Sequence, residues 1–271
     1  MREVRANGPN LEICRTTSKH SFAWHVTTGT RLLVMDTPAY AIVPARSGSK
    51  RILGKNTRSF LGKPIIFWVL EEIAKSGLFE TVLVSSEDSG ILQLVDDSPL
   101  AIPLRRPDEL AEDHAPTSDV ANHAIINLLK NGAPADSHFF VAYPTAVFTT
   151  AEHIRKSREL LIPGEFDFVF SGAAFPSELD RAWWKSSDGS VSPVNEAAQQ
   201  SNSQDLPVAY FDAGQFYWST KAGWNKSTLA AGKGRRIYEL DPLEAVDVNT
   251  ESDWERAERV FSVIRKGSRG D

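Results

Sequence analysis

From Tyr40 onward the chain alternates short, continuously apolar runs with longer segments whose apolar positions recur at helical spacing. Tyr40–Pro44 reads as a buried strand ended by proline, and residues 64–74 (PIIFWVLEEIA) as a helix stopped at Ser76-Gly77. A strand over Thr81–Ser85 leads through the acidic turn Ser86-Glu87-Asp88 into a helix reaching Val95. Strands follow at 101–104, 139–143, 166–171 and 208–219, with helices at 120–129 and 151–161 between them. Thr250-Glu251-Ser252-Asp253 has capping-box spacing, with aspartate in place of the usual Glu or Gln, and opens a last helix from about Ser252 to Ile264. This rhythm predicts an α/β fold, a mostly parallel sheet wrapped by helices with right-handed crossovers.

Two stretches break the rhythm. Residues 1–36 have no clear period and scatter Asn, Gly, Pro and Thr, so they read as a poorly ordered N-terminal extension before a single domain over 37–271, with Met35 a candidate natural start. Residues 175–204, rich in Ser, Asn and Gln, read as an arm inserted in that domain, covering the site or reaching a partner subunit.

Candidate chemistry starts at the end of the first strand, where AIVPARSGSKRILGKN (residues 41–56) packs glycine, hydroxyls and four cations into one loop. The carboxyl edge of an open α/β sheet is where ligands bind, and Gly48 lets the backbone approach an anion closely. Arg46, Lys50, Arg51 and Lys55 combine planar forks with mobile point charges, a mixture suited to a triphosphate. The loop lacks the glycine that a Walker P-loop places five residues upstream. A solvated basic loop has the same composition; the position after a buried strand favours phosphate.

Composition narrows the class. The 271 residues carry a net charge of −5 with 24% charged positions, ordinary for a globular protein and without the basic stripe of a nucleic-acid binder. The basic tail Arg265-Lys266-Gly267-Ser268-Arg269 reads as a solvated end. The single cysteine, Cys14, excludes an intrachain disulfide. No apolar run approaches the ~20 residues needed to span a bilayer, so no membrane partner is expected and a cytoplasmic location is.

Several segments, in order, are similar to the acylneuraminate cytidylyltransferases, the CMP-sialic acid synthetase family, and within it most resemble the pseudaminic acid enzymes. They are AIVPARSGSKRILGKN, FLGKPIIFW, LVSSED, RPDELAEDH, AYPTAVF, SQDLPVAYFDAGQFYW and VDVNTESDWERAE. The resemblance covers residues 40–261 and implies a Rossmann-like fold of the nucleotide-diphospho-sugar transferase type. It implies a reaction in which the anomeric hydroxyl of a nonulosonic acid, an acidic nine-carbon sugar, attacks the α-phosphate of CTP, giving a CMP-sugar and pyrophosphate. By the resemblance, Arg46, Ser49, Lys50 and Lys55 hold the triphosphate and Asn56 assists, while Arg106, Ala115 and Thr117 meet the cytosine. Tyr143, Gln204, Asp212, Gln215 and Tyr217 line the acceptor sugar. The family's metal pattern is Asp-x-Asp; here Asp247 and Asn249 stand in its place as the expected magnesium ligands, with one negative charge fewer. Arg46, Lys50, Lys55 and Asp247 are the expected catalytic set, and the 175–204 arm implies a homodimer.

The chain departs from the family chiefly on the sugar side. Asn202 replaces an arginine, Val208 and Phe211 replace Glu and His, and Val147 and Leu53 replace prolines. Two other readings follow: a cytidylyltransferase for a different acidic acceptor, and a nucleotide-binding protein that has lost catalysis. His114 lacks a placed partner as a general base, and Trp183-Trp184 suits burial in a subunit contact better than stacking on a base.

Overall fold

The computed structural model describes residues 37–112, 115–224 and 234–267, with side chains as far as residue 264. The N-terminal extension with Cys14 and Met35, His114, and the side chains of the basic tail lie outside the described residues.

The chain enters through β1 (Ala39–Pro44), continues through a small hairpin of β2 (Ser59–Phe60) and β3 (Lys63–Pro64), and forms α1 (Ile66–Ser76). Then come β4 (Thr81–Ser86), α2 (Ser89–Asp96), β5 (Ile102–Arg105), α3 (Thr117–Lys130), β6 (His138–Ala142), α4 (Ala151–Arg158) and β7 (Phe168–Ala174). An arm carrying the hairpin β8 (Trp183–Lys185) and β9 (Val191–Pro193) leads to β10 (Tyr210–Ser219), β11 (Arg235–Glu239) and α5 (Glu251–Gly267).

Local signals end these elements where the sequence places them. Gly77 stops α1 in the left-handed region at φ 67°, which costs glycine nothing. The Asp88 side chain caps α2 by accepting from the Ile91 N–H at 2.9 Å. Thr250 and Asp253 form the reciprocal box: Asp253 N–H donates to Thr250 Oγ1 at 3.2 Å, and the Thr250 N–H donates to Asp253 Oδ2 at 2.8 Å. The shorter aspartate therefore does the work of glutamate.

The main sheet has seven strands in the order β11-β7-β10-β6-β1-β4-β5. β1 lies between β4 and β6, parallel to both, with Tyr40 beside Thr81 and Phe139. Only β10 runs antiparallel to its neighbours β6 and β7. The reason is the connection: no α-helix intervenes between β7 and β10, so the chain re-enters the sheet from the edge it left, as an antiparallel neighbour permits. β11 was not anticipated; its five residues RRIYE carry no continuous apolar run, because it pairs only with β7 at the sheet's edge.

Apolar faces bind the layers. One face is packed by Val69, Leu70 and Ile73 of α1 and Ile154 of α4, against β-strand residues including Phe140, Phe216 and Trp218. The other receives Ala121, Ala124, Ile125 and Leu128 of α3 over Tyr40, Ile42, Phe139 and Val141. A third cluster gathers Trp254, Ala257 and Phe261 of α5 with Phe60, Ile52, Val246 and Val248. Its rings cross edge to face, Phe60 lying 5.5 Å from both Trp254 and Phe261. This third cluster matters for the site, because it fixes the 41–56 loop and the 246–249 segment to a common anchor.

Candidate active site

A cleft of about 490 Å³ opens at the carboxyl edge of β1 and β6. It is lined by Arg46, Lys55 and Asn56 of the first loop, Arg106, Ala115 and Thr117 before and within the start of α3, Tyr143 after β6, Asp212 and Tyr217 of β10, and Asp247 and Asn249. Eleven of the fifteen residues expected from the sequence thus meet in one place, although they span about two hundred positions of chain.

The loop is held in shape before any ligand arrives. Asn56 is buried, and its Nδ2 donates to the Arg46 carbonyl at 2.8 Å, closing the loop across its base. Ile52 is fully buried while its neighbour Leu53 is 90% exposed, so one residue of the pair pins the loop to the core and the other does not. Lys55 Nζ donates to the Val248 carbonyl at 2.8 Å. Burial lowers the Lys55 ammonium from its usual range, an effect that Asp247 partly opposes.

Arg106 is only 3% exposed and is braced by Glu87, whose Oε2 accepts from Arg106 Nε at 3.1 Å and Nη2 at 2.7 Å. Glu87 Oε1 also accepts from the Ser47 N–H at 2.8 Å and the Ser47 hydroxyl at 3.0 Å. Burial opposes the Glu87 charge, but these hydrogen bonds and the guanidinium outweigh it and hold the carboxyl below its usual range. One carboxylate therefore ties the expected base-binding arginine to the expected phosphate loop. Sequence reading took Glu87 only as part of a turn; its position at the carboxyl end of β4, beside β1, was the available signal.

On the opposite wall a hydrogen-bonded series runs across the cleft. Thr117 Oγ1 and Tyr143 Oη lie 2.7 Å apart, the Tyr143 and Tyr217 rings meet edge to face at 6.0 Å, and Tyr217 Oη donates to Asp212 Oδ2 at 3.0 Å. Burial raises both phenols. Burial also raises the Asp212 carboxyl against the pull of the Gly214 N–H and Tyr217, with Asp247 adding repulsion. Gly214 has φ 61°, a left-handed conformation that glycine adopts without strain, and it places the backbone beside Asp247.

A neighbouring cavity of about 430 Å³ shares Thr117, Tyr143, Asp212 and Tyr217 with the cleft and continues to Phe168, Tyr210, Trp224 and Arg235. The Arg235 guanidinium lies 5.1 Å from the Phe168 ring centre, and its Nε is buried with no hydrogen-bond partner among the described residues. Arg235 is a residue that sequence reasoning missed, since β11 itself was not foreseen.

Four expected residues lie apart from the cleft lining. Ser49 accepts from the Ile52 N–H at 3.4 Å, and Lys50 is exposed on the loop. Gln204 is exposed on the arm. Gln215 is 1% exposed, its amide donating to the Glu244 carbonyl and accepting from Thr149 Oγ1 at 3.2 Å, so its polar groups are spent on the fold. Of Asn249, the amide oxygen accepts from Arg51 Nη2 at 2.9 Å and the amide nitrogen donates to Asp247 Oδ2.

The donors fit a hard divalent cation of modest demands. Among the described residues no group of three or more His, Cys, Asp or Glu forms a ready-made cage. Magnesium is commonly held by one or two carboxylates together with substrate phosphates, and Asp247, exposed in the cleft beside the loop cations, meets that description. Among the described residues no helix is long and apolar enough to cross a membrane.

The chain is similar to known cytidylyltransferases. The cytidylyltransferase family model matches residues 40–131. A pseudaminic acid cytidylyltransferase of Campylobacter jejuni is 31% identical over 222 residues, which cover 82% of this chain and 95% of that protein. A CMP-N,N'-diacetyllegionaminic acid synthase of Legionella pneumophila is 26% identical, covering 82% and 96%. The solved structure of a CMP:2-keto-3-deoxy-manno-octonic acid synthetase complexed with CTP superposes with a TM-score of 0.60 over 84% of this chain and all of that one; at 14% identity it carries the fold alone. The α/β architecture is thus a nucleotidyltransferase fold, and the identity sustained along nearly the whole Campylobacter protein places this chain in the cytidylyltransferase family.

Proposed function

We propose that the chain is a CTP-dependent nucleotidyltransferase that joins CMP to a nonulosonic acid and releases pyrophosphate. The observation that carries this reading is the convergence of Arg46, Lys55 and Arg106 on one cleft whose far wall bears Asp212, Tyr217 and Asp247.

In this reading Arg46 and Lys55 take the triphosphate, and Lys55, already bonded to a carbonyl, exchanges that partner for phosphate oxygen. Arg106, fixed by Glu87, presents donors to the cytosine ring together with backbone near Ala115 and Thr117. The acceptor lies against Tyr143, Tyr217 and Asp212 and extends into the neighbouring cavity, where Arg235 supplies a cation in a chain that has Asn202 in place of the family's arginine. Its hydroxyl attacks the α-phosphorus in line, the new O–P bond forms as the bond to pyrophosphate breaks, and the preset cations stabilise the charge that moves onto the leaving group. Magnesium bound at Asp247 would neutralise triphosphate charge. The protein would work in the cytoplasm, without nucleic acid or membrane, as a homodimer through the arm. There Trp183 and Trp184 are 54% and 66% exposed, more aromatic surface than a free hairpin ordinarily leaves in water.

The test is pyrophosphate release from CTP with magnesium, using pseudaminic, legionaminic and N-acetylneuraminic acids in turn, with the CMP-sugar identified by mass spectrometry. Release with one acid establishes the reaction and its acceptor. No release from any, with CTP still bound, refutes transfer to these acids and favours another acidic acceptor or a protein that binds the nucleotide without using it.

A further inference from the structure

Asn249 lies between groups of opposite charge. Its oxygen faces the Arg51 guanidinium at 2.9 Å and its NH₂ faces the Asp247 carboxylate. Those partners dictate which way the amide points: turned over, it would set N–H against guanidinium N–H and oxygen against carboxylate, losing both hydrogen bonds. The backbone around it is tied as well. The Asn249 N–H donates to Asp253 Oδ2 at 3.1 Å, the Val248 carbonyl accepts from Lys55, and Val248, Val246 and Ile52 are buried in one cluster.

This arrangement uses the atoms a metal would need. The one oxygen that the Asn249 side chain can offer is engaged by Arg51, and one oxygen of Asp247 is engaged by the amide. An aspartate at 249 could not make the same bridge. It would face Asp247 with a second negative charge, and a cation would have to offset the repulsion between the two.

We infer that Asn249 is a positioning residue rather than a metal ligand: it ties Arg51 of the phosphate loop to Asp247, leaving Asp247 as the one member of the 247–249 pair for a cation that arrives with the triphosphate. The inference rests on the reading of the cleft as a CTP site. It explains how this chain keeps the loop and the 247–249 segment together without the charge that the resemblance leads one to expect there.

The experiment uses the full chain and two measurements. Manganese alone, without nucleotide, is titrated by electron paramagnetic resonance against the parent, Asn249→Ala and Asn249→Asp. Asn249→Asp adds a carboxylate beside Asp247 and is expected to bind Mn²⁺ about tenfold tighter or more, while Asn249→Ala and Arg51→Ala, titrated alongside it, break the bridge from either end and are expected to shift Mn²⁺ affinity alike. A tenfold loss in Asn249→Ala that Arg51→Ala does not share would mean that the amide is a ligand and would overturn the inference. The second measurement is calorimetric CTP binding in EDTA and then in magnesium. The parent should retain metal-free binding that Asn249→Asp loses by about tenfold and regains with magnesium; equal metal-free affinities would overturn the inference. Absence of CTP binding in every variant under both conditions would instead refute the nucleotide reading, and the manganese comparison would still decide the role of Asn249.

Discussion

The two walls of the cleft are built on different plans. On the nucleotide side protein partners set the loop and two of its cations: Glu87 grips Arg106 and Ser47, Asn56 bonds the Arg46 carbonyl, and Lys55 donates to the Val248 carbonyl. On the acceptor side the polar groups form a chain of hydroxyls ending on Asp212, with Arg235 Nε buried and without a hydrogen-bond partner among the described residues, next to an exposed arm. A rigid nucleotide wall lowers the cost of ordering at each encounter. The acceptor wall is left with polar capacity unspent, which is what a site needs if its last partners are to come from the sugar or from a second copy of the chain.

The largest expected effect comes from breaking the nucleotide wall at its brace. Arg106 and Glu87 are 3% and 14% exposed at their side chains, and removing one member of such a buried pair typically costs about 3–5 kcal/mol. Arg106→Ala should therefore lower stability by roughly 3 kcal/mol and weaken CTP binding on the order of 100-fold. Urea melts and calorimetry check both. An unchanged CTP affinity would remove Arg106 from the base site. Lys55→Met should come next, with kcat/KM for CTP falling on the order of 100-fold because a phosphate cation is lost. Its effect on stability should be small, since it gives up one hydrogen bond to a carbonyl and the attraction of Asp247 but also relieves the burial of a charge.

The acceptor wall is probed by Tyr217→Phe and Arg235→Ala. Loss of the hydrogen bond between Tyr217 and Asp212 should raise KM for the acid about tenfold while KM for CTP stays within about twofold. Arg235→Ala should raise KM for the acid by a similar or smaller factor, and Arg235→Lys should restore part of it, because charge survives but the planar fork does not. Equal shifts in both substrates' KM would show that the two walls are not separate.

How legible these walls were in the sequence follows the same division. The loop after β1 could be found from one rule, that ligands meet the carboxyl edge of a parallel strand, and its cations were read directly. Apart from the short β2–β3 hairpin, the strands and helices from Tyr40 to Ser171 followed from periodicity because their local signals agree with their burial; Gly77 and Asp88 are examples. Glu87 was invisible because its role depends on two partners 40 and 19 residues away. Gln215 lies on a polar, aromatic-rich strand that suited a sugar, yet a β-bulge between Asp212 and Tyr217 accompanies its burial, and no two-residue period can reveal that. Arg235 depended on an edge strand without an apolar run.

The smallest effect, and the one that separates the walls by sign, is the dependence of stability on pH. Glu87 is held below its ordinary pKa of 4.5, so its contribution is fully present above that value and is lost as pH falls from 4.5 toward the lower folded value. Asp212 is raised above its ordinary 3.8 by burial first and by Asp247 after it; its favourable state is the protonated one, present below 3.8 and lost as pH rises through the folded value. At neutral pH without metal or nucleotide, Glu87→Gln should therefore melt below the parent and Asp212→Asn above it. Both differences should shrink as the buffer approaches pH 4, where the first carboxylate is losing its advantage and the second its penalty. Thermal melts at several pH values decide the matter. If Asp212→Asn melted below the parent at neutral pH, the acceptor wall would be as internally satisfied as the nucleotide wall, and the contrast between a preset half and a half awaiting its partner would fail.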